Sequence, residues 1–211
     1  MTRLADATSP EAAGAGLVLV PLGSIEQHGP HLPLDTDTAI AEAVARGVAE
    51  QLPGAWVAPA IAYGSSGEHQ SFAGTASVGT AALTHQLVEL VRSLRTWAER
   101  VVVVNAHGGN VAALEASDEI GWVPCATEAV DLHAGYTETS LMLHLRPGSV
   151  RLELAEAGNT QPLNEILPVM MTGGVAAVSP NGVLGDPASA TAAEGERVLK
   201  AMVAEVVERL S

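Results

Sequence analysis

Four consecutive valines, Val101-Val102-Val103-Val104, run into Asn105 and break off at His107-Gly108-Gly109-Asn110. A run this short, wholly β-branched and closed by glycines, reads as a strand buried on both faces. Such strands belong to parallel sheets, whose connections are helical crossovers. The rest of the chain supplies them. Gly16–Val20, ended by Pro21, is a second strand, over 16–21. Asp37-Thr38 then caps a helix through about Gln51, with Ile40, Ala41, Val44, Val48 and Leu52 on one face and Pro53-Gly54 as its stop. A strand over 55–62 follows, and Thr80 caps a helix whose inner stripe is Leu83, Leu87, Leu90, Val91, Leu94 and Trp97. A helix follows Asn110, a strand is expected over 122–132, a helix runs from Thr137 through Leu145, and a final amphipathic helix spans 189–210. Residues 1–15 read as a short helix or loose lead-in. Residues 146–187, with little periodicity beyond Leu163 to Met171, read as extended segments and loops that cover a site or a contact between copies. Strands alternating with helices make an α/β fold, a mostly parallel sheet with helices on both faces.

At 211 residues, 47% apolar and only 3% aromatic, the chain has enough Ala, Val and Leu for one core, and 1–211 reads as a single domain. The formal charge is −14, from 24 acidic and 10 basic residues, which supplies no phosphate-neutralising surface and argues against a nucleic-acid partner. The one cysteine, Cys125, excludes an intrachain disulfide and fits a reducing compartment. Behind Pro124 in an apolar segment, it reads as inert core. The first residues lack the basic start and apolar stretch of a signal peptide, and no apolar run approaches the roughly 18 residues of a membrane span. The expectation is a soluble, cytoplasmic protein with no membrane partner.

The strand over 16–21 empties into a loop that holds Glu26, His28 and Asp37, and later strands deliver His107 and Glu138 to the same edge. In open α/β sheets, sites form at the carboxyl ends of the strands. A mixture of imidazole nitrogen and carboxylate oxygen suits hard and borderline divalent cations, and one aspartate can bridge two ions about 3.5–4 Å apart. Each residue has a plainer reading: Asp37 as a helix cap, Glu138 as compensation for a helix dipole, a lone histidine as surface. Only their convergence argues for a metal site. The glycines Gly108 and Gly109 free backbone N–H groups for an oxyanion or a phosphate. As a phosphate loop the turn lacks a lysine and the G-x-G-x-x-G spacing. Glu68 and His69 read as substrate contacts or loop scaffold. His133 is the candidate acid for a leaving amine, or else a support for Glu138. A nucleophile elbow and a Cys–His pair are both missing, which disfavours covalent catalysis.

Three blocks carry a resemblance: Gly23-Ser24-Ile25-Glu26-Gln27-His28-Gly29-Pro30-His31-Leu32-Pro33-Leu34-Asp35-Thr36-Asp37, Asn105-Ala106-His107-Gly108-Gly109-Asn110, and His133-Ala134-Gly135-x-x-Glu138-Thr139-Ser140. They resemble the signature blocks of the creatininase family. Tyr63-Gly64-Ser65-Ser66-x-Glu68-His69 and Ser179–Pro187 match further family segments, so the likeness spans essentially the whole chain. It implies a three-layer α-β-α sandwich, metal-dependent amide hydrolysis and assembly as a homo-oligomer. It also implies two divalent ions per subunit, Fe2+, Zn2+ or Mn2+, with Glu26, Asp37 and His107 holding one and His28, Asp37 and Glu138 the other. Creatinine-hydrolysing members carry a ligand glutamate where this chain has Gly109, and Glu138 is the natural substitute. Asp131-x-His133 through Leu143 and Gly158-Asn159-Thr160 are most similar to the family's peptidase branch. The substrate of that branch is a modified precursor peptide, from which a C-terminal Val-Tyr unit is released during redox-cofactor biosynthesis. Other readings are a family amidohydrolase acting on creatinine or formamide, a non-catalytic metal-binding protein and, last, a phosphate-binding α/β protein.

Overall fold

The computed structural model describes residues 2–126 and 131–211. Strands β1 (Thr2–Arg3), β2 (Ala15–Leu22), β3 (Ala55–Val57), β4 (Ala98–Asn105) and β5 (Trp122–Pro124) form one sheet in the order β1-β3-β2-β4-β5, with every pair parallel. β2 and β4 are the central pair, in register from Ala15 opposite Ala98 to Leu22 opposite Asn105. Both therefore end at the same edge, and the loops that follow leave the sheet side by side.

Side chains alternate across the sheet. Leu19, Val57, Val102 and Val104 enter one apolar layer, beneath helices α2 (Thr36–Gln51), α5 (Tyr136–Leu145) and α7 (Ala192–Leu210). Val18, Val20, Leu22, Val101 and Val103 enter the other, beneath α3 (Thr80–Leu94) and the single turn α4 (Val111–Leu114). This is the expected α-β-α sandwich, and each fully buried Val or Leu stabilises it by about 1.5–3 kcal/mol. Two apolar faces leave the valine pattern indifferent to a one-residue slip of β4. Register is pinned instead at the end of the strand, where the Asn105 amide donates to the His107 carbonyl and accepts from the Asn110 side chain.

Several boundaries differ from those read in the sequence. The strand over 55–62 is only β3: Ala58 and Ile61 still donate to Leu19 and Pro21 of β2, but three residues then span what two span on β2, so the ladder breaks at Pro59-Ala60. The strand over 122–132 ends at Pro124; its residues 127–130 lie outside the described ones, and His133 instead makes an isolated antiparallel bridge with Leu184. α2 starts at Thr36 with Asp35 in the cap position, so Asp37 sits inside the first turn and does not cap it. Thr80 is likewise the first residue of α3, behind Gly79 at φ 77°, and Trp97 lies beyond its end. The lead-in holds β1 and a one-turn helix α1 (Ser9–Ala12) with a Thr8–Glu11 capping box. Within the loop-rich region, α6 (Leu163–Gly173) forms despite Pro168. Among the described residues, no helix is long and apolar enough to cross a membrane.

Candidate metal centre

The carboxyl edge of the sheet gathers the polar side chains that the interior otherwise excludes. Glu26 and His28 come from the loop after β2, Asp37 from the first turn of α2, and Glu68 and His69 from a 3-10 turn (Gly67–His69) beyond β3. His107 follows β4 directly, His133 lies beyond β5, and Glu138 occupies the first turn of α5. Glu26 and His28 are 0% exposed and Asp37 1%. Charged groups this deep need partners.

Distances show how they meet. Asp37 turns Oδ1 to His28 Nε2 at 3.2 Å and Oδ2 to His107 Nδ1 at 3.4 Å, while the Ser24 hydroxyl donates to Oδ2 at 2.7 Å. His107 Nε2 lies 3.1 Å from Glu26 Oε2 and 3.4 Å from Glu68 Oε1. Glu138 Oε2 is 3.8 Å from His28 Nε2 and accepts from the Ala134 N–H at 2.6 Å. Ala134 has φ 52°, a left-handed backbone that an alanine adopts only at a cost, and that costly turn precedes the helix carrying Glu138. His133 Nδ1 stands 3.8 Å from Glu26 and 4.0 Å from Glu138. Two triads have potential ligand atoms within 4.8 Å of one another: Glu26, Asp37 and His107, and His28, Asp37 and Glu138. Two more share Glu26, one with His28 and His133, the other with Glu68 and His69.

Electrostatics carry the same mark. Burial and the Asp37 charge lift Glu26 to about 7. Burial also lifts Glu138 to about 7, with Asp37 adding to the rise. Burial opposes the His28 imidazolium, but the Asp37, Glu138 and Glu26 carboxylates outweigh it and raise His28 to about 10; His107 rises to about 9 against burial, through Glu26, Glu68 and Asp37. Burial works against the Asp37 carboxylate too, yet His28 and His107 hold it well below the usual range. Burial and the neighbouring His28 drive His133 well below an ordinary imidazole. Both Glu26 oxygens are buried without a hydrogen bond. Such an orphaned carboxylate, ringed by histidines, fits a divalent cation in chemistry and position.

Supporting residues came without a signal of ligand chemistry. Gln27 sits between Glu26 and His28, and its amide reaches His69, Gly182 and Gly29. Asn110 donates to the Gly23 carbonyl and accepts from the Ser65 N–H, tying the loops after β2, β3 and β4 together. His31 Nε2 meets the Thr139 hydroxyl at 2.8 Å. These are amides and hydroxyls whose roles depend on where the loops fold, which spacing alone does not reveal. Gly108 and Gly109 open a 3-10 turn (Gly108–Asn110), so their N–H groups have no acceptor within it. A cavity of about 400 Å³ adjoins the cluster, floored by His69, His107 and His133 and walled by Leu163, Leu167 and Met171 of α6.

The family model for creatininase, creatinine amidohydrolase, matches residues 5–210. The chain belongs to the creatininase family. It is similar to the mycofactocin precursor peptide peptidase of Mycobacterium tuberculosis (strain ATCC 25618 / H37Rv), with 58% identity covering 92% of this chain and 84% of that protein. The enzyme of the same name from Mycolicibacterium smegmatis (strain ATCC 700084 / mc(2)155) is 55% identical over the same shares. Among solved creatininases, one described as Mn aligns at TM-score 0.81 and 25% identity, covering 99% of this chain and 97% of that one. A mutant of the Zn-Zn type aligns at 0.81 and 25%, covering 99% and 96%. The sandwich is thus that of the creatininase family.

Proposed function

We propose that this chain is a metal-dependent peptidase that releases the modified C-terminal Val-Tyr unit from the mycofactocin precursor peptide. The observation that carries the chemistry is the Glu26 carboxylate, buried and unbonded amid His69, His107 and His133. The relatives' names supply the substrate. In this reading residues 1–211 form one metallohydrolase domain, Glu26, Asp37 and His107 hold one cation and His28, Asp37 and Glu138 the other. The Zn and Mn forms of solved creatininases favour those metals, with Fe2+ also compatible with the donor set. Two bound divalent cations would supply Lewis-acid polarisation of the scissile carbonyl and a water acidified to near neutrality.

The chain's own residues do the rest. Asp37, with one oxygen toward each histidine, fixes the spacing of the two ligand sets. His133 Nδ1 faces the cluster and carries a proton from water to the leaving amine. The Gly108 and Gly109 N–H groups offer hydrogen bonds to a tetrahedral oxyanion. The apolar wall of α6 seats the substrate beside the cluster and keeps bulk water out. The single thiol fits a cytoplasmic enzyme, and exposed Leu163, Val169 and Met171 on α6 leave room for contact between copies of a homo-oligomer.

The test is incubation of zinc- or manganese-loaded protein with the modified precursor peptide, with mass spectrometry of the products. Release of the C-terminal unit, lost on chelation and restored by metal, supports the proposal. Turnover of creatinine or formamide with the peptide untouched would transfer the chain to another activity of its family. Metal binding without hydrolysis of any amide would leave a binding protein.

A further inference from the structure

Gln27 contributes no ligand chemistry, yet the residue is only 5% exposed and its side-chain amide has partners at both ends. Its Oε1 accepts from the Gly29 N–H at 2.9 Å, which fixes which end of the amide is oxygen. Its Nε2 has two hydrogens and three neighbours: the Gly182 carbonyl at 3.0 Å, His69 Nδ1 at 2.8 Å and His133 Nε2 at 3.1 Å. A carbonyl only accepts, so one hydrogen goes to Gly182. His133 Nε2 also lies 2.9 Å from the Gln27 backbone carbonyl, where it must donate. A nitrogen that donates there carries its own proton and does not take one from the amide. The second hydrogen therefore goes to His69 Nδ1.

We infer that Gln27 is a positioning residue that sets the tautomers of His69 and His133. His69, accepting at Nδ1, carries its proton on Nε2 and presents it to Glu26 Oε1, 3.4 Å away. That turns an N–H toward one oxygen of Glu26 without a formed hydrogen bond, while Oε2 lies toward His107. His133, donating from Nε2, presents a bare Nδ1 lone pair to the cluster, so it begins the cycle as a proton acceptor and becomes a donor only after taking a proton from water. Gly182, at φ 80°, makes the arrangement possible: a β-carbon there would overlap the Gln27 amide. The catalytic consequence rests on the peptidase reading; the tautomers do not.

The experiment is a long-range proton–nitrogen correlation spectrum of histidine-labelled full-length protein, zinc-loaded and metal-free, with rings assigned through His69→Gln and His133→Gln. The expected wild-type pattern is a protonated Nε2 and bare Nδ1 on both rings. A proton on Nδ1 of either ring overturns the inference, whatever any variant does. In Gln27→Leu, loss of the single tautomer at His69 is expected. The same variant should lower kcat for the peptide about 10- to 100-fold with KM and zinc content unchanged. An unaltered His69 pattern in folded Gln27→Leu also overturns it. Wild-type protein that shows the pattern but hydrolyses no peptide instead removes the peptidase reading alone.

Discussion

His28 and Asp37 meet at 3.2 Å, Nε2 to Oδ1, with both side chains shut away from water. The other Asp37 oxygen serves Ser24 and His107, so this one carboxylate joins both halves of the cluster. Asp37→Asn preserves volume but turns an amide N–H₂ toward one of the two histidines. Elemental analysis should find bound zinc falling from two ions per chain to almost none, and peptide release should drop to background. In metal-free protein, breaking the buried pair should cost about 3–5 kcal/mol, or roughly 6–20 °C in Tm.

Stability of the metal-free protein should depend on pH in a defined direction. His28 and His107 are raised above their ordinary 6.5, to about 10 and about 9. A raised imidazole stabilises the fold fully below its unfolded pKa, and that contribution is lost as pH climbs through the folded value. Glu26 and Glu138, raised to about 7, also lose stability with rising pH, between about 4.5 and 7. The Tm of chelated protein should therefore fall steadily from pH 6.5 to 9. A flat or rising profile in a calorimetric series would contradict the assignment. Saturating zinc, which replaces those protons, should raise Tm and flatten the profile.

How much of this was legible beforehand differs by element. The Val101–Val104 run announced β4 because both of its faces are buried, so no polar residue interrupts it. The stretch over 55–62 reads as longer than β3 because Ala60 and Ile61 look like strand, while the extra residue between the Ala58 and Ile61 bonds to β2 breaks the ladder. At the centre, Glu26, His28, Asp37, His107 and Glu138 stood out by residue type and by their place after strands. Gln27 and Asn110 did not, since an amide declares its partners only when the loops have closed around it. α6 coincides with the periodic stretch Leu163 to Met171 of a region otherwise rich in Pro, Gly and Asn, whose composition reads as extended segments and loops; what holds the helix is Ile166 buried against Val175 and Leu184.

The apolar wall should govern substrate binding more than chemistry. Leu167 is 38% exposed and lines the cavity above His133. If peptide covers it, Leu167→Ala forfeits about half the value of a buried leucine, raising KM roughly threefold to tenfold with little change in kcat. Steady-state kinetics with the modified peptide read this directly. An equal fall in kcat at constant KM would show that α6 shapes the cluster instead of the substrate's seat.

Cys125 should be dispensable. Its thiol packs against the α2–α7 layer, burial pushes its pKa up, and its N–H continues the sheet edge by donating to Asn105 at 2.7 Å. Cys125→Ser keeps that backbone bond and should leave peptide turnover and metal content within twofold of the parent. The expected stability cost is about 1 kcal/mol, from a hydroxyl placed in an apolar setting.

Gly109 makes a sharper test of the crowding around His107. A β-carbon there would fall within contact of the Glu68 carboxylate, the His107 ring and the Ser65 carbonyl, and two of those three neighbours cannot simply rotate away. Glu68 leans on His107 Nε2, and the Ser66 hydroxyl approaches the same nitrogen at 3.3 Å, so displacing this shell turns the imidazole. Gly109→Ala should weaken zinc binding about 10- to 100-fold, the usual cost of disturbing groups that orient a metal ligand. Gly67→Ala, one loop away with open space around the added methyl, should bind zinc as the parent does. Competition titration against a chelator separates the two, and equal affinities in both variants would mean that Glu68 does not hold His107 in place.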